Sequence, residues 1–318
     1  MKAHNLKEVI LLLFISFIIV LVSHSFADSD WSSVAPLSVS SSWSLNGVHF
    51  ISSGEGWATG IDYRDHSGIL LHYSGGAWSS IALPFVSSDW ALKSVHLISA
   101  GEGWAVGGDN SKHRGVLLHC SGGAWISVVP PSVSSDWSLS SVHLISASEG
   151  WAVGSDEANG TGVLLHYFGG AWSSVTPPSV SSDWSLSSVH LTSAGEGWAV
   201  GPDKENRGGV VLHYSNGSWS SVIAPFEGSH WALNSVYSIS SDEAWAVGSD
   251  GRGGKGILLH YSGSTWSSVF PPSVSSYWFL NNVNFISTGE GWATGTDGVH
   301  GRGVLLHQTA STSPGPAH

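Results

Sequence analysis

Beyond residue 30, short runs of alternating apolar and polar residues follow one another along the chain, each bounded by Gly, Ser, Asn or Pro. One unit of this pattern contains the runs 94–99, 104–107, 116–120 and 124–129, with a turn or loop between successive runs. Runs of this length and composition are typical of β-strands. No window carries apolar residues at the helical period over a useful length. The pattern therefore predicts an all-β protein built from units of four short strands.

The unit repeats six times with a step of 47 residues, which the tryptophans mark directly. Four strands in a repeat of this length are typical of one blade of a β-propeller. We therefore predict a six-bladed β-propeller of 47-residue, four-stranded repeats. All 18 tryptophans fall into three ladders, which are Trp57, Trp104, Trp151, Trp198, Trp245 and Trp292; Trp31, Trp78, Trp125, Trp172, Trp219 and Trp266; and Trp43, Trp90, Trp137, Trp184, Trp231 and Trp278.

The two ends of the repeat array are complementary. The last copy stops after its third strand, at residues 304–307, and the first copy begins with the missing outer strand, at residues 31–34. Pairing of these N- and C-terminal strands would close the ring and remove two exposed strand edges. An open solenoid would instead carry polar capping repeats, and neither end shows one. We therefore predict a closed ring.

The N-terminal segment has the pattern of a secretory signal peptide. Lys2 and Lys7 precede an apolar run of 14 residues, 9–22, and Ser25 and Ala27 supply the small residues of a cleavage site. The run is shorter than the roughly 20 residues of a membrane span. We expect cleavage after Ala27 and a secreted, periplasmic or cell-surface protein; the alternative is an uncleaved anchor. The predicted organisation is a signal peptide at 1–27, the propeller at 28–308 and a disordered tail at 309–318.

Composition narrows the class of protein. Charged residues make up only 11% of the chain, and 40 glycines accompany the 18 tryptophans, which favours a tightly turned β structure over disorder. The net charge of −12 argues against nucleic acid as a partner. The single cysteine, Cys120, excludes an intrachain disulfide. We expect a monomer held by its core, without stable membrane insertion after signal cleavage.

The repeat itself resembles a known family. The string GEGWAVG at residues 101–107, followed by a variable loop and GVLLHCSGGAW at 115–125, resembles repeats of propellers related to the photosystem II assembly factor, which are close to bacterial neuraminidase or Asp-box repeats. This resemblance spans residues 31–307 and implies a binding or assembly role in the bacterial envelope or the thylakoid. Asp-box repeats carry an Asp in the turn before the last Trp. Turns 74–76, 121–123 and 215–217 lack it, which argues against a sialidase.

An aspartate follows the second predicted strand of every copy. The loop after it varies between copies and holds most of the cations of the mature chain, including Lys112, Lys204 and Lys255. Loops on a rigid scaffold commonly carry function, so we take these aspartates and arginines as candidate ligand-binding residues. They are Asp62, Asp109, Asp156, Asp203, Asp250 and Asp297, with Arg64, Arg114, Arg207, Arg252 and Arg302.

The alternating strand directions place this loop on the same face as the connection between blades. That connection carries the third tryptophan ladder, Trp43, Trp90, Trp137, Trp184, Trp231 and Trp278. An aromatic ring beside a carboxylate and a cation suits a sugar, and we include this ladder among the candidate ligand-binding residues. The alternative is structural, with Asp forming the turn and Trp filling the gap between blades.

Two other ladders carry ionisable groups. We expect the glutamates, in the first hairpin turn of the opposite face, to be solvated, and the histidines of the third strand to bond to the next blade. Equivalent histidines of neighbouring blades lie too far apart to share a metal ion, so we predict no metal and no cofactor. The ladders are Glu55, Glu102, Glu149, Glu196, Glu243 and Glu290, and His72, His119, His166, His213, His260 and His307.

The near-identity of the copies argues against an enzyme, because one active site needs residues that the other copies lack. Residues 131–147 and 178–194 differ only at Ile145 and Thr192. A binding site built on the repeat should therefore occur several times in the chain, which favours binding by avidity. We predict no catalytic residue and a non-catalytic scaffold that binds a protein or a glycan. The alternatives are a multivalent sugar-binding lectin and a sialidase-like glycosidase with a site in the central channel.

Overall fold

The computed structural model describes residues 39–193, 195–225 and 230–309. The predicted signal peptide, the strand at 31–34 and the tail beyond Thr309 lie outside these ranges. The cleavage site and the pairing of the terminal strands therefore stay predictions.

The described residues form 23 strands in six antiparallel sheets, one sheet for each repeat. Blades 1 and 2 comprise β1 (Trp43–Ser52), β2 (Glu55–Asp62), β3 (Ser67–Ser74), β4 (Ala77–Ser80), β5 (Trp90–Ser99), β6 (Glu102–Asp109), β7 (Arg114–Ser121) and β8 (Ala124–Val128). Blades 3 and 4 comprise β9 (Trp137–Ser146), β10 (Glu149–Asp156), β11 (Thr161–Phe168), β12 (Ala171–Val175), β13 (Ser188–Leu191), β14 (Gly197–Asp203), β15 (Gly208–Ser215) and β16 (Ser218–Ser221). Blades 5 and 6 comprise β17 (Trp231–Ser238), β18 (Glu243–Asp250), β19 (Lys255–Ser262), β20 (Thr265–Val269), β21 (Trp278–Ser287), β22 (Glu290–Asp297) and β23 (Arg302–Thr309).

Strand order in each sheet follows the chain, and the first strands of consecutive blades pack against one another. The six-bladed, four-stranded propeller is thereby confirmed, with three strands of blade 6 in the described part of the chain. No helix within the described ranges is long and apolar enough to cross a membrane.

The second strand of each blade approaches the first very closely. A Cβ at Gly107 would collide with the carbonyl oxygen of Ala91 on β5, and one at Gly154 would collide with that of Ser138 on β9. These positions lie beside a bulge in the first strand, where one extra residue disturbs the ladder. Only glycine therefore fits at this step of the repeat.

Hydrophobic clusters join each blade to the next. In the first of them, Trp57 and Leu70 of blade 1 pack with Leu92, Val95 and Leu97 of blade 2. The same repeat positions build the four later clusters. In the Trp57 ladder, Trp57, Trp104, Trp151, Trp198 and Trp245 are buried, whereas Trp292 is half-buried. In the Trp31 ladder, Trp125 and Trp266 are buried, and Trp78, Trp172 and Trp219 are half-buried.

The end blades expose the faces that internal blades bury. On β1 of blade 1, Val48 is 64% exposed, and Leu45 and Phe50 are also exposed. On β23 of blade 6, Leu305 is 41% exposed. At the internal interfaces the residues equivalent to Val48 are buried, and those equivalent to Leu305 are buried except for the half-buried Leu258. Blades 1 and 6 therefore each expose an apolar face.

Candidate functional site

The loop face consists of the loops between the second and third strands of each blade together with the connections between blades. The structure brings these two segments side by side. Trp43 pairs with Asp62 across the first two strands, Trp90 with Asp109, and Trp137 with Asp156. The same register joins Trp184 to Asp203, Trp231 to Asp250 and Trp278 to Asp297. The tryptophan and the aspartate of each candidate set are therefore neighbours.

Each aspartate of this face organises its own loop. The Asp109 carboxylate is buried and accepts hydrogen bonds from the Ser87 hydroxyl at 2.7 Å and the Lys112 backbone N–H at 3.0 Å. Ser87 belongs to the connection that enters the blade. The Asp109 carboxylate therefore links this connection to the loop between the second and third strands. Equivalent Ser–Asp pairs are Ser40 with Asp62, Ser134 with Asp156, Ser181 with Asp203 and Ser275 with Asp297. These pairs suggest Asp-box-like repeats, with the aspartate in a different turn from the one expected.

The hydrogen bonds also lower the pKa of the Asp62 and Asp297 carboxyl groups. At Asp297, burial acts to raise the pKa, but hydrogen bonds from His300, Ser275 and the loop backbone outweigh it and leave the pKa at about 2. At Asp62, hydrogen bonds from the Arg64 backbone and Ser40 likewise outweigh burial, and the pKa is lowered. Asp250 accepts from the backbone N–H groups of Arg252 and Gly253. The turn-forming alternative accounts for the position of the aspartates.

The tryptophans of the connection are packed between blades. Trp137 lies against Gly115 on the third strand of the preceding blade, and Trp184 lies against Gly162 in the same way. Trp90, Trp137, Trp184, Trp231 and Trp278 are buried, and Trp43 is half-buried. The gap-filling alternative therefore accounts for this ladder, and the buried indole faces are not presented to a ligand.

The cations of the loops remain on the surface and differ in their contacts. Arg64 donates to the Ser41 hydroxyl at 3.1 Å, and Arg114 lies 4.0 Å from the Asp109 carboxylate. Arg207 lies 2.7 Å from the Nε2 of His230. Arg64, Arg207, Arg252 and Arg302 are exposed, and Arg114 is half-buried. Of the candidate residues, the arginines are thus the groups most available to a ligand.

A left-handed residue ends each of these loops, a feature that the sequence analysis missed. His113 has a φ of 53°, and its carbonyl oxygen accepts the backbone N–H of Trp137 in the next blade at 3.1 Å. The same bond links His66 to Trp90 and Gly160 to Trp184. Glycines at residues 160, 254 and 301 were the available signal, since they recur at the repeat step and glycine favours positive φ. The loops of blades 1 to 5 are therefore fixed at both ends.

On the opposite face, the prediction for the third-strand histidine ladder was wrong, and the prediction of solvated glutamates was wrong for Glu55 and Glu102. The histidines pair within their own blade rather than with the next, because the second and third strands place Trp104 opposite His119. The two rings stack with centroids 4.3 Å apart, and the His119 Nε2 lies 2.7 Å from the Glu102 carboxylate. At Glu55, the hydrogen bond from His72 lowers the carboxyl pKa. Glu55 and Glu102 are therefore hydrogen-bonded to a histidine of their own blade, whereas Glu290 is exposed.

The first strands carry a stack of imidazoles. The ring centroids of His49 and His96 are 4.2 Å apart, those of His96 and His143 4.5 Å, and those of His143 and His190 4.1 Å; Tyr237 follows at 4.1 Å. The Nδ1 atoms of the last three histidines accept backbone N–H groups of the next blade. Burial lowers the pKa of these histidines, to about 3 for His190.

Within residues 39–193, 195–225 and 230–309, no group of three or more His, Cys, Asp or Glu side chains is placed to hold a metal ion.

Comparison with known proteins identifies the fold. No family model matches the chain, and no curated protein matches it. YCF48 from Cyanidioschyzon merolae is 14% identical, over 84% of this chain and 95% of that one, with a TM-score of 0.43. A protein of unknown function from Dyadobacter fermentans is 10% identical, over 84% of this chain and 95% of that one, with a TM-score of 0.53. The Hadza microbial sialidase Hz136 is 12% identical, over 85% of this chain and 66% of that one, with a TM-score of 0.51.

The chain is thus a six-bladed β-propeller, similar in fold to the Dyadobacter fermentans protein and to the sialidase. At such identities the likeness shows the fold alone, and a propeller hosts enzymes and non-enzymes alike.

Proposed function

We propose that this propeller is a non-catalytic scaffold that binds a protein or a glycan through its loop face. One observation carries the proposal. On this face the residues repeated in every blade, such as Asp109 and Trp137, are buried and bonded within the scaffold. The exposed cations of the loops, by contrast, differ from blade to blade. A rigid frame that presents variable loops is suited to recognition.

The proposal includes the setting in which the protein acts. We propose an exported monomer that binds no nucleic acid and does not insert stably into a membrane after signal cleavage. The apolar run at 9–22 with its flanking lysines supports export. The net charge of −12 supports a partner other than nucleic acid. Near-identical copies support binding at several equivalent places rather than catalysis at one.

A glycan array with the purified protein tests the function. Replacing Arg207, Arg252 and Arg302 together by serine is expected to lower the affinity for a captured ligand about tenfold or more, since each exposed cation at an interface contributes about two- to fivefold. Glu102→Gln on the opposite face is the matched control and should leave binding unchanged.

The array also separates the alternatives. Clear glycan binding would make the protein a multivalent lectin, and binding confined to protein partners would favour the scaffold. Undiminished binding by the triple serine variant would contradict the assignment to the loop face. Hydrolysis of a glycoside by the purified protein would overturn the non-catalytic proposal.

We also propose that the ring closes by pairing of residues 31–34 with β23. The exposed faces of blades 1 and 6 support this, because each has the composition of a buried interface. In blade 1, Ser79 on β4 lies opposite His72 on β3. The 47-residue step places Ser32 opposite His307 in the same register.

A disulfide tests the closure. Directly opposed residues have Cβ atoms within reach of an S–S bond, so Ser32→Cys with His307→Cys should cross-link within one molecule in a Cys120→Ala background. The readout is the reductant-sensitive loss of both free thiols in the monomer, measured by mass after alkylation of the denatured protein. Ser79→Cys with His72→Cys provides the positive control. If the control cross-links and the terminal pair does not, closure by this pairing is wrong.

A further inference from the structure

The repeat symmetry is broken at one place near the start of the inner strands. The bulge position of the first strand holds Asn46, Lys93, Ser140, Ser187, Asn234 and Asn281 in the six blades, so only blade 2 carries a charge there. Asn46 donates to the Leu92 carbonyl oxygen of the next blade at 2.8 Å. Lys93 instead reaches the Ser138 hydroxyl of the next blade, with a distance of 3.3 Å from its Nζ.

Blade 3 breaks the symmetry at the same place. Ser138 lies 3.3 Å from Ser155, measured between the hydroxyl oxygens. No other blade has serine at both positions, since the equivalent pairs are Ser44 and Ile61, Ala91 and Gly108, Ser185 and Pro202, Ala232 and Ser249, and Phe279 and Thr296. Two residues after Ser155, Glu157 is the only acid at its step of the repeat. Its carboxylate lies 3.7 Å from the Nζ of Lys204 in blade 4.

The charges at this place are unevenly paired. Lys204 contacts both Glu157 and Asp183, at 3.7 Å and 3.6 Å. The Lys93 side chain is open to solvent. Among the residues that the structure describes, no carboxylate lies within 4.0 Å of its Nζ. Desolvation by the surrounding strands lowers the pKa of the Lys93 ammonium, and the more distant Glu157 opposes this shift. An exposed ammonium without a close counter-ion favours an anionic group through their electrostatic attraction.

We propose that Lys93, Ser138, Ser155 and Glu157 form a single binding site for a sugar that carries one negative charge. Lys93 binds the acidic group. The two serine hydroxyls and the Glu157 carboxylate bind sugar hydroxyls. One unpaired ammonium suits a single negative charge, which a carboxylate or a sulfate ester supplies. This inference rests on the proposed binding function but assigns it to residues outside the repeated loop cations.

Titration calorimetry with methyl glucuronide, methyl glucoside and a monosulfated methyl glucoside tests the site. One sugar should bind per chain with a Kd near ~1 mM, a weak affinity typical of a small polar ligand with few contacts. The neutral glucoside should bind about tenfold more weakly, and added salt should weaken only the charged ligands. The two charged sugars distinguish a carboxylate from a sulfate ester as the preferred group.

Lys93→Gln should reduce the affinity for the charged sugar about tenfold, and Lys93→Arg should retain most of it. Glu102→Gln, a change of one charge on the opposite face, is the control and should bind like the unaltered protein. Equal binding of the neutral sugar, unchanged binding by Lys93→Gln, or no binding of either charged sugar would overturn the site. If another ligand on the glycan array still depends on the loop arginines, the proposed function stands while this site falls.

Discussion

Trp184→Ala is expected to lower the free energy of unfolding by about 3–5 kcal/mol, the cost typical of removing a large buried aromatic side chain. Trp184 is only 2% exposed, and its ring packs against Gly162 of the preceding blade. It belongs to the cluster that joins blade 3 to blade 4, together with Trp151 and Leu186. The substitution leaves a cavity at this interface, which the rigid strands around it cannot fill.

Equilibrium unfolding in urea, followed by circular dichroism at neutral pH, measures the loss. Phe270→Ala provides the control, since that side chain is 95% exposed and should change stability by less than about 0.5 kcal/mol. A Trp184→Ala variant as stable as the Phe270→Ala variant would show that the indole is not packed between blades in solution.

Acidification below pH 6.5 is expected to destabilise the protein through its histidine stack. A buried imidazole that accepts a backbone N–H cannot take up a proton without losing that bond, and its stacked neighbours are also imidazoles. The groups facing the stack are therefore the rings of His49, His96, His143 and His190, with Tyr237 at its end. Protonation at this spacing places like charges next to one another in the protein interior.

The direction of the change in stability with pH follows from the number of protons that the folded and unfolded chains bind. Because the folded pKa of these histidines lies below the unfolded value, the unfolded chain binds more protons, so their contribution is complete above pH 6.5 and is lost as the pH falls. For His190, with a folded pKa of about 3, the loss between pH 6.5 and pH 5 is about 2 kcal/mol. Urea midpoints measured from pH 8 to pH 5 follow this loss.

His143→Tyr provides the matched variant, because Tyr237 occupies the same repeat position in blade 5. Its stability should fall less steeply between pH 6.5 and pH 5 than that of the unaltered protein. Parallel pH profiles for the two proteins would contradict a role for the stack. Asp297, with a carboxyl pKa of about 2, and Asp62, whose pKa is also lowered, do not titrate in this range.

The burial of the connection tryptophans changes how a lectin hypothesis is tested. Trp90→Ala or Trp137→Ala would abolish glycan binding by disturbing the packing between blades, whether or not the indole touches a sugar. Substitutions of exposed loop cations, such as Arg252, separate recognition from stability. The same holds for Lys93, whose side chain is open to solvent.

Periodicity made the fold predictable. A step of 47 residues with four strand-like runs is enough to give blade number and strand order, since each blade repeats the same local chemistry. Periodicity does not show which side of a strand meets a neighbouring blade. For this reason the orientation of Trp137 and the partner of His119 required the structure.

The site proposed around Lys93 was harder to predict, because its residues come from two different copies of the repeat. Lys93, Ser138 and Glu157 occupy three different steps of the repeat, and only the packing of consecutive blades brings them together. The left-handed loop residues were hidden for another reason. In three blades the position is taken by His66, His113 or Arg207, so the glycine that marks it elsewhere is absent from the sequence.

The loop between the repeated aspartate and the left-handed residue has the same length in every blade, so the loops can be exchanged between blades. In every blade three residues separate the two anchors, from Asp62 and His66 in blade 1 to Asp297 and Gly301 in blade 6. The aspartate fixes the entry of the loop, and the left-handed carbonyl fixes its exit against the next blade. A loop sequence transferred from one blade to another is therefore held between the same two anchor residues. Varying the three positions of each loop would give a binding protein with varied loop side chains on a constant backbone.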